Sequence, residues 1–195
     1  GAAKYINQLL KEFRVEQRVI QESLYEIIGK HVDIASTKQL QEYFYDRLRI
    51  TPPAETETGQ RSVNEKSLEK IKHPIGTKVA ELVLRWRNLN KLASTYLEPY
   101  KDLNGRVHPH WNATGTRTGR FSSSNPNLQN IPKDDKIRRI FIPDNEFFDF
   151  DFSQVELRIA ADISGQRNMI KAFQEDADLH TYTAAMVLSK EMGDV

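Results

Sequence analysis

Residues 147–158 read FFDFDFSQVELR, and this stretch decides how the chain is interpreted. Phenylalanine and aspartate alternate over residues 148–152, which predicts a strand because successive side chains of a strand point to opposite faces. From Val155 onward apolar residues recur every four positions, which predicts a helix. Ser153 has the side chain of an N-cap residue for that helix. Asp151 is therefore expected at a strand-to-helix junction.

A carboxylate at such a junction has two interpretations. Mg2+ prefers oxygen ligands and keeps waters and substrate phosphates in its coordination shell, so Asp151 is a candidate metal ligand. An ordinary aspartate favoured by the dipole at a helix N-terminus fits the same pattern. Glu156 is equally ambiguous, because Ser153-x-x-Glu156 matches a capping box in which the glutamate bonds back to the N-cap amide. The stretch by itself leaves both questions open.

The octapeptide from Asp151 to Arg158 closely resembles motif A of the family A DNA polymerases, which usually reads Asp-Tyr-Ser-Gln-Ile-Glu-Leu-Arg. This chain has Phe152 in place of tyrosine and Val155 in place of isoleucine. Residues 116–132, TRTGRFSSSNPNLQNIP, are similar to the family's Thr-Gly-Arg, Ser-Ser and Pro-Asn-Leu-Gln-Asn-Ile-Pro segments. The match over the last seven of these residues, 126–132, is complete.

The resemblance extends over nearly the whole chain. Residues 33–40 and 94–96 are similar to motifs of the family's thumb domain, and residues 178–181 to the segment that opens its fingers. The resemblance implies an α+β fold, with a helical thumb followed by part of an antiparallel-sheet palm and the first fingers helices. The implied domains are a thumb over 1–100, a palm portion with motif A over 101–156 and the start of the fingers over 157–195.

A polymerase of this family extends a primer 3′-hydroxyl by templated attack on the α-phosphate of a dNTP, with two Mg2+ ions. By resemblance, Asp151 bridges both ions and the backbone carbonyl of Phe152 helps to hold the nucleotide-bound ion. The resemblance also makes Glu156 an active-site residue that crowds the sugar 2′ position and so excludes ribonucleotides. The implied nucleotide-binding residues are Ser153, Gln154, Glu156 and His180.

Arg158 lies one turn into the predicted helix. It either supports the catalytic carboxylates or pairs with Asp162 at the i,i+4 spacing of a helix face. The sequence leaves both roles open.

A polar segment precedes motif A. Residues 117–130 offer arginine, serine, glutamine and asparagine around glycine turns, and such groups bind phosphate oxygens and the minor-groove acceptors of every base pair. A solvated turn stabilised by its own polar side chains has the same composition, but the resemblance favours DNA and puts Arg120 on the primer terminus. The predicted DNA-binding residues are Ser94, Thr95, Arg117, Arg120, Ser122, Asn127, Gln129, Asn130 and Arg138.

Three cationic residues, Lys136, Arg138 and Arg139, flank the apolar Ile137 and Ile140. We predict that their stems lie on a sheet face while their charged heads bind phosphate. An exposed edge strand guarded by charge is the alternative.

Helical periodicity dominates the first hundred residues. Residues 4–28 carry apolar side chains mostly three or four apart, which predicts one long amphipathic packing helix. Ser36-x-x-Gln39 matches a capping box for a second helix. A further long helix is predicted between Pro74 and Pro99.

Two stretches lack this periodicity. Residues 51–62 contain no aliphatic side chain larger than alanine, which predicts an exposed and mobile loop. From residue 103 onward, short runs separated by glycine and proline predict small strands and turns.

The net charge of +1 hides a division along the chain. Residues 101–142 contain eight Lys or Arg against three Asp or Glu, whereas residues 143–195 contain four against eleven. A basic segment beside an acidic one suits a protein that holds a phosphate backbone and also collects cations.

The composition excludes several classes of protein. The chain has no cysteine, which removes disulfides and thiolate chemistry, and no apolar run long enough for a membrane span or a secretory signal. No P-loop, His-x-x-x-His pair or Gly-x-Ser-x-Gly elbow is present. We expect a protein without a membrane partner, cytoplasmic or nucleoid-associated in a bacterium or phage, with an organellar origin left open.

The family also needs a fingers helix with Lys and Tyr and a later motif that supplies the second metal-binding aspartate, and neither occurs in these 195 residues. We therefore expect the two Mg2+ ions to be shared with an aspartate outside this chain. The expected partners are primer-template DNA, a dNTP and the rest of the polymerase, in the same or a second chain. Two alternatives are a duplex-binding module without chemistry of its own and an unrelated metal-dependent phosphotransferase.

Overall fold

Helices account for most of the regular structure, and one two-stranded antiparallel sheet accompanies them, which confirms the predicted α+β class. The computed structural model describes residues 2–102, 105–175 and Thr181. It divides into two units, Gly1–Ile142 and Pro143–Val195. No helix in the described ranges is both long enough and apolar enough to cross a membrane. The thumb, palm and fingers boundaries given above stay predictions.

The first unit is built on the packing of two long helices. Helix α1, Ala2–Ile28, is the helix predicted for residues 4–28, and it packs most extensively on α4, Gly76–Lys91. Spacings of three and four residues align the buried side chains of α1 in one stripe. That stripe consists of Ile6, Leu9, Phe13, Gln17, Ile20, Leu24 and Ile28.

Polar contacts set how α1 lies on α4. The buried side chain of Gln17 donates to Oδ1 of Asn90 at 3.4 Å and accepts from Arg14 at 3.1 Å. The ion pair Arg85–Glu16 adds to this contact at 2.7 Å, and Arg14–Glu98, at 2.5 Å, joins α1 to the turn that begins at Glu98. Their side chains are more than 40% exposed, so each pair contributes only about 0.2–1 kcal/mol.

Helix α2, Thr37–Gln41, begins at Ser36 and continues as a π-helical turn over Glu42–Arg47. The Ser36 hydroxyl accepts from the Gln39 amide at 3.3 Å, which confirms the predicted N-cap. The Gln39 side chain accepts from the Asp33 amide at 2.9 Å. The glutamine therefore caps the preceding turn, and the N-cap half of the predicted capping box is formed.

The loop predicted for residues 51–62 is exposed over 54–60, and its exit is anchored. Three consecutive backbone carbonyls each accept a side-chain hydrogen bond from the helical body. The pairs are Gln41 with the Arg61 carbonyl, Tyr45 with Ser62 and Arg87 with Val63.

Two hydrogen bonds from Arg61 lower the pKa of Asp46, and burial lowers the pKa of Arg87.

Beyond this anchor, a short helix α3, Glu65–Glu69, leads to α4 and was not predicted. Asn64 caps it through its side chain, which accepts from the Ser67 amide at 2.9 Å. Helix α4 continues as a π-helical turn over Leu92–Leu97, so the long helix ends before Pro99, as predicted. A 3-10 turn, Glu98–Tyr100, follows.

The sheet prediction for residues 136–140 is wrong. Helix α5, Asp135–Arg138, occupies this place because Asp134 caps it, with Oδ1 accepting from the amides of Lys136 at 2.9 Å and Ile137 at 3.2 Å. Ile137 and Ile140 are both buried, and a spacing of three suits one helical turn. Lys136, Arg138 and Arg139 therefore project from a helical turn.

The strand predicted for residues 147–152 is also wrong. No regular element forms there, and Phe147, Phe148, Phe150 and Phe152 are 70–88% exposed. A strand needs a hydrogen-bonded neighbour, and the sheet found in the described residues joins β1, His110–Asn112, only to β2, Ser122–Ser124. In its described residues, the second unit instead has a segment without regular secondary structure followed by helix α6, Val155–Ser164, and helix α7, Arg167–Gln174.

Phe44→Ala tests the core of the first unit. Phe44 is fully buried, so loss of its ring should lower the free energy of unfolding by about 3–5 kcal/mol through lost burial and the remaining cavity. Urea titration followed by circular dichroism measures the change. The matched control is Val19→Ala on α1, because Val19 is 54% exposed. Its free energy of unfolding should change by no more than about 0.5 kcal/mol. Equal effects of the two substitutions would contradict this core assignment.

Candidate nucleic-acid interface and metal ligand

The β1–β2 connection is a tight polar loop that presents two arginines. Gly119 has φ of +74°, a left-handed conformation that favours glycine. The Thr116 hydroxyl donates to the Arg120 carbonyl at 2.8 Å across this turn. A Cβ on Gly115 would lie 2.3 Å from Oγ of Ser122, so a larger residue there would displace this hydroxyl. Arg117 and Arg120 are exposed on the loop.

A second polar turn follows β2 and is organised by Ser123. This serine is buried, and its hydroxyl donates to the Pro126 carbonyl at 3.1 Å while accepting from the Leu128 amide at 3.2 Å. Asn127 caps a 3-10 turn, Leu128–Asn130, by accepting from the Gln129 amide at 3.0 Å. The sequence analysis did not single out Ser123, because burial of one serine among three leaves no sequence signal.

The two turns are tied to each other. The Gln129 side-chain amide donates to the Phe121 carbonyl at 2.9 Å, so the predicted DNA-binding residues Gln129 and Asn127 both stabilise the loop that carries them. Asn130 is exposed and Ser122 is half-buried on β2. The structure therefore brings Ser122, Asn127, Gln129 and Asn130 into one hairpin with Arg117 and Arg120. Their contact with DNA stays a prediction.

The remaining predicted DNA-binding residues lie on two elements that contact each other. Ser94 and Thr95 are exposed on the π-helical turn Leu92–Leu97, which packs on α5. The Ser94 hydroxyl donates to the Asn90 carbonyl at 2.8 Å. Arg138 on α5 donates from Nε to the Pro132 carbonyl at 3.1 Å and is exposed. This group combines two hydroxyls and a guanidinium on one side of the first unit's core.

In the second unit, the predicted metal ligand Asp151 is exposed. Its carboxylate takes no hydrogen bond or ion pair from the residues that the structure describes. These residues contain no group of three His, Asp or Glu side chains arranged to hold a metal. Asp151 with the adjacent Phe152 carbonyl fits part of a Mg2+ donor set, since Mg2+ is often held by one or two carboxylates and completed by waters and phosphates.

The turn after Asp151 differs from the predicted cap. Helix α6 begins at Val155, and its N-cap residue is Gln154 in a left-handed conformation with φ of +53°. Ser153 is therefore not the N-cap, and the expected capping box is wrong, because the third residue after Gln154 is Leu157. Glu156 lies in the first turn of α6. A turn with a left-handed Gln154 takes the place of the simple strand-to-helix junction.

Arg158 contacts groups that the sequence analysis did not predict. Its Nε donates to the Ser153 carbonyl at 2.8 Å, and its guanidinium carbon lies 4.6 Å from the centroid of the Phe173 ring on α7. The predicted alternatives were the catalytic carboxylates and Asp162. Arg158 and Phe173 are fifteen positions apart and lie on two helices, so the periodicity of one helix does not predict their contact. His180 lies outside the described residues.

Comparison with known proteins agrees with the resemblance. The sequence pattern of DNA polymerase family A matches residues 3–195. Over 194 residues the chain is 39% identical to the thermostable DNA polymerase I of Thermus aquaticus, covering 93% of this chain and 23% of that protein. DNA polymerase I of Caldicellulosiruptor bescii is 38% identical over 200 residues, 96% of this chain and 23% of that protein.

A solved structure shows the same fold. It is described as the POL domain of Pol1 from M. smegmatis in complex with DNA primer-template and dNTP. The TM-score is 0.79 at 32% sequence identity, over 99% of this chain and 35% of that one. The chain thus spans about a quarter to a third of the proteins that it matches. With the motif A octapeptide, the polar hairpin and a family match over nearly every residue, the chain belongs to DNA polymerase family A.

Proposed function

We propose that this chain forms part of an enzyme for template-directed DNA synthesis, which adds dNTPs to a primer 3′-hydroxyl by phosphoryl transfer. The observation that carries the proposal is the family match over residues 3–195. The similar M. smegmatis domain is described as bound to primer-template and dNTP, which supports the same partners here. The chain acts within a larger or split polymerase, because it corresponds to about 23% of its relatives' length.

In this proposal the first unit binds the DNA duplex. Arg117 and Arg120 on the hairpin, with Arg138 on α5, neutralise backbone phosphates. Ser94, Thr95 and the amides of the hairpin bind phosphate or minor-groove acceptors without reading sequence. The hydrogen bonds within residues 116–130 hold these groups in place before DNA binds, which lowers the entropic cost of binding.

The second unit supplies one side of the metal site. Asp151 and the carbonyl of Phe152 would hold Mg2+, together with an aspartate from outside the chain. When bound, two Mg2+ ions activate the primer hydroxyl and stabilise charge on the transferred phosphate. Ser153, Gln154 and His180 orient the nucleotide, and Glu156 excludes a 2′-hydroxyl. The chain alone is inactive in this proposal, since its own donor set is incomplete.

A duplex-binding module without chemistry is the second candidate. The observation that favours it is the excess of basic residues over 101–142. A primer-extension assay with the remaining polymerase segments added distinguishes the two candidates. A polymerase part extends the primer, whereas a binding module binds the duplex but adds no nucleotide. A metal-dependent phosphotransferase would hydrolyse a phosphoester without any template.

Asp151→Asn in the full-length polymerase that carries this chain tests the metal ligand. Loss of a charged ligand removes several kcal/mol of transition-state stabilisation, so single-nucleotide incorporation should fall on the order of a thousandfold. The Kd for primer-template should change little. Asp149→Asn, also exposed and two residues away, is the control and should keep its rate. Near-normal turnover of Asp151→Asn would show that Asp151 does not bind a catalytic metal.

Glu156→Ala tests the sugar gate. Truncation opens space beside the sugar, so the ratio of kcat/KM for dNTP over rNTP should narrow by about tenfold to a hundredfold. Glu156→Asp keeps the charge with a shorter stem and should give an intermediate ratio. An unchanged ratio in Glu156→Ala would remove Glu156 from the gate.

Arg120→Ala tests the DNA interface. If Arg120 neutralises one phosphate, the slope of log K against log salt should become shallower by about 0.9, as measured by fluorescence anisotropy with primer-template. Arg18→Ala, an exposed arginine on α1, should leave the slope unchanged. Identical slopes for both variants and the parent would place Arg120 away from the DNA backbone.

A further inference from the structure

One arginine holds the turn that follows the predicted metal ligand. The Arg158 backbone amide donates to the Gln154 carbonyl at 3.0 Å, and its side-chain Nε donates to the Ser153 carbonyl at 2.8 Å. Two consecutive carbonyls of the turn are thus fixed by a single residue. The remaining face of the guanidinium covers the Phe173 ring on α7, with the central carbon 4.6 Å from the ring centroid.

The turn needs such support. Gln154 has φ of +53°, a conformation that is unfavourable for a residue with a Cβ. The peptide groups next to it therefore depend on neighbours to keep their orientation. Asp151 and Phe152, the predicted metal ligands, come directly before this turn, so its geometry determines where the carboxylate and the carbonyl lie.

Helix α7 fixes the arginine in turn. Helices α6 and α7 pack against each other, and each buries one alanine, Ala161 on α6 and Ala172 on α7. Phe173 lies one residue beyond Ala172 and provides a flat surface for the guanidinium, as in a cation–π contact. A displacement of α7 relative to α6 therefore changes the support under Arg158 and, through it, the Ser153 carbonyl.

We infer that Arg158 is a positioning residue that couples α7 to the metal-binding turn. It holds Asp151 and Phe152 in the geometry for metal binding only while Phe173 lies against its guanidinium. This inference rests on the proposed function and goes beyond it, because it assigns a role to Phe173, which the sequence analysis did not consider. Arginine combines a donor at Nε with a planar cationic group that stacks on a ring, and lysine has no such planar group.

The test uses the full-length polymerase that carries this chain. Arg158→Lys keeps the charge but loses the planar group, Phe173→Leu keeps apolar volume but loses the ring, and Phe173→Trp keeps a ring. We expect Arg158→Lys and Phe173→Leu each to lower kcat by about tenfold to a hundredfold, as misplacement of reacting groups does. The Kd for primer-template should not change, and Phe173→Trp should restore most of the rate.

Two further comparisons separate coupling from a general loss of structure. The double variant Arg158→Lys with Phe173→Leu should be no slower than the slower single variant, because both remove the same contact. Arg167→Lys, an exposed arginine in the first turn of α7, is the matched control and should keep the parent kcat. Multiplicative effects in the double variant, or equal rates for Phe173→Leu and Phe173→Trp, would overturn the inference.

A second readout does not depend on activity. Hydrogen exchange at the two Arg158 donors, Nε–H and the backbone amide, measured by NMR, should be slower in the parent than in Phe173→Leu. Unchanged exchange at these positions overturns the coupling even if kcat falls. If the parent protein extends no primer, the proposed function fails, while slow exchange that Phe173→Leu accelerates still supports the physical coupling.

Discussion

The packing of α1 on α4 is the constraint on which the first unit depends. Both helices exceed fifteen residues, and their buried apolar side chains belong to one core cluster. Tyr100, Ile137 and Ile140 extend the same core, so the chain that leaves α4 returns to it through α5. Along the sequence, the polar hairpin lies between Tyr100 and Ile137. Burial of apolar side chains thus fixes the two ends of the segment that contains the hairpin.

Hydrogen bonds, rather than burial, shape the functional loops. In residues 116–130, threonine, serine, asparagine and glutamine side chains satisfy backbone groups that no sheet or long helix would satisfy. The carbonyls of residues 61–63 are held in the same way. In the second unit, Arg158 performs this task for Ser153. In the segments where the family resemblance implies ligand binding, polar side chains therefore also hold the backbone through hydrogen bonds.

The elements that the sequence predicted well are those with local signals. The period of α1, the Ser36 cap and the end of α4 before Pro99 follow from residues within one or two turns of each other. The predicted strand at 147–152 failed because alternation does not supply a pairing partner, and the strand at 136–140 failed because Asp134 caps a helical turn. Motif A identified Asp151 as a candidate, but the left-handed Gln154 and the contact from Arg158 to Phe173 depend on tertiary packing.

Single-nucleotide extension tests the central claim most directly. The full-length protein that carries this chain would be given a labelled primer on four templates that differ only in the templating base, with Mg2+ and each dNTP in turn. The account predicts one added nucleotide, and in each case the complementary one. Addition regardless of the templating base, or phosphoester hydrolysis without a template, would contradict it.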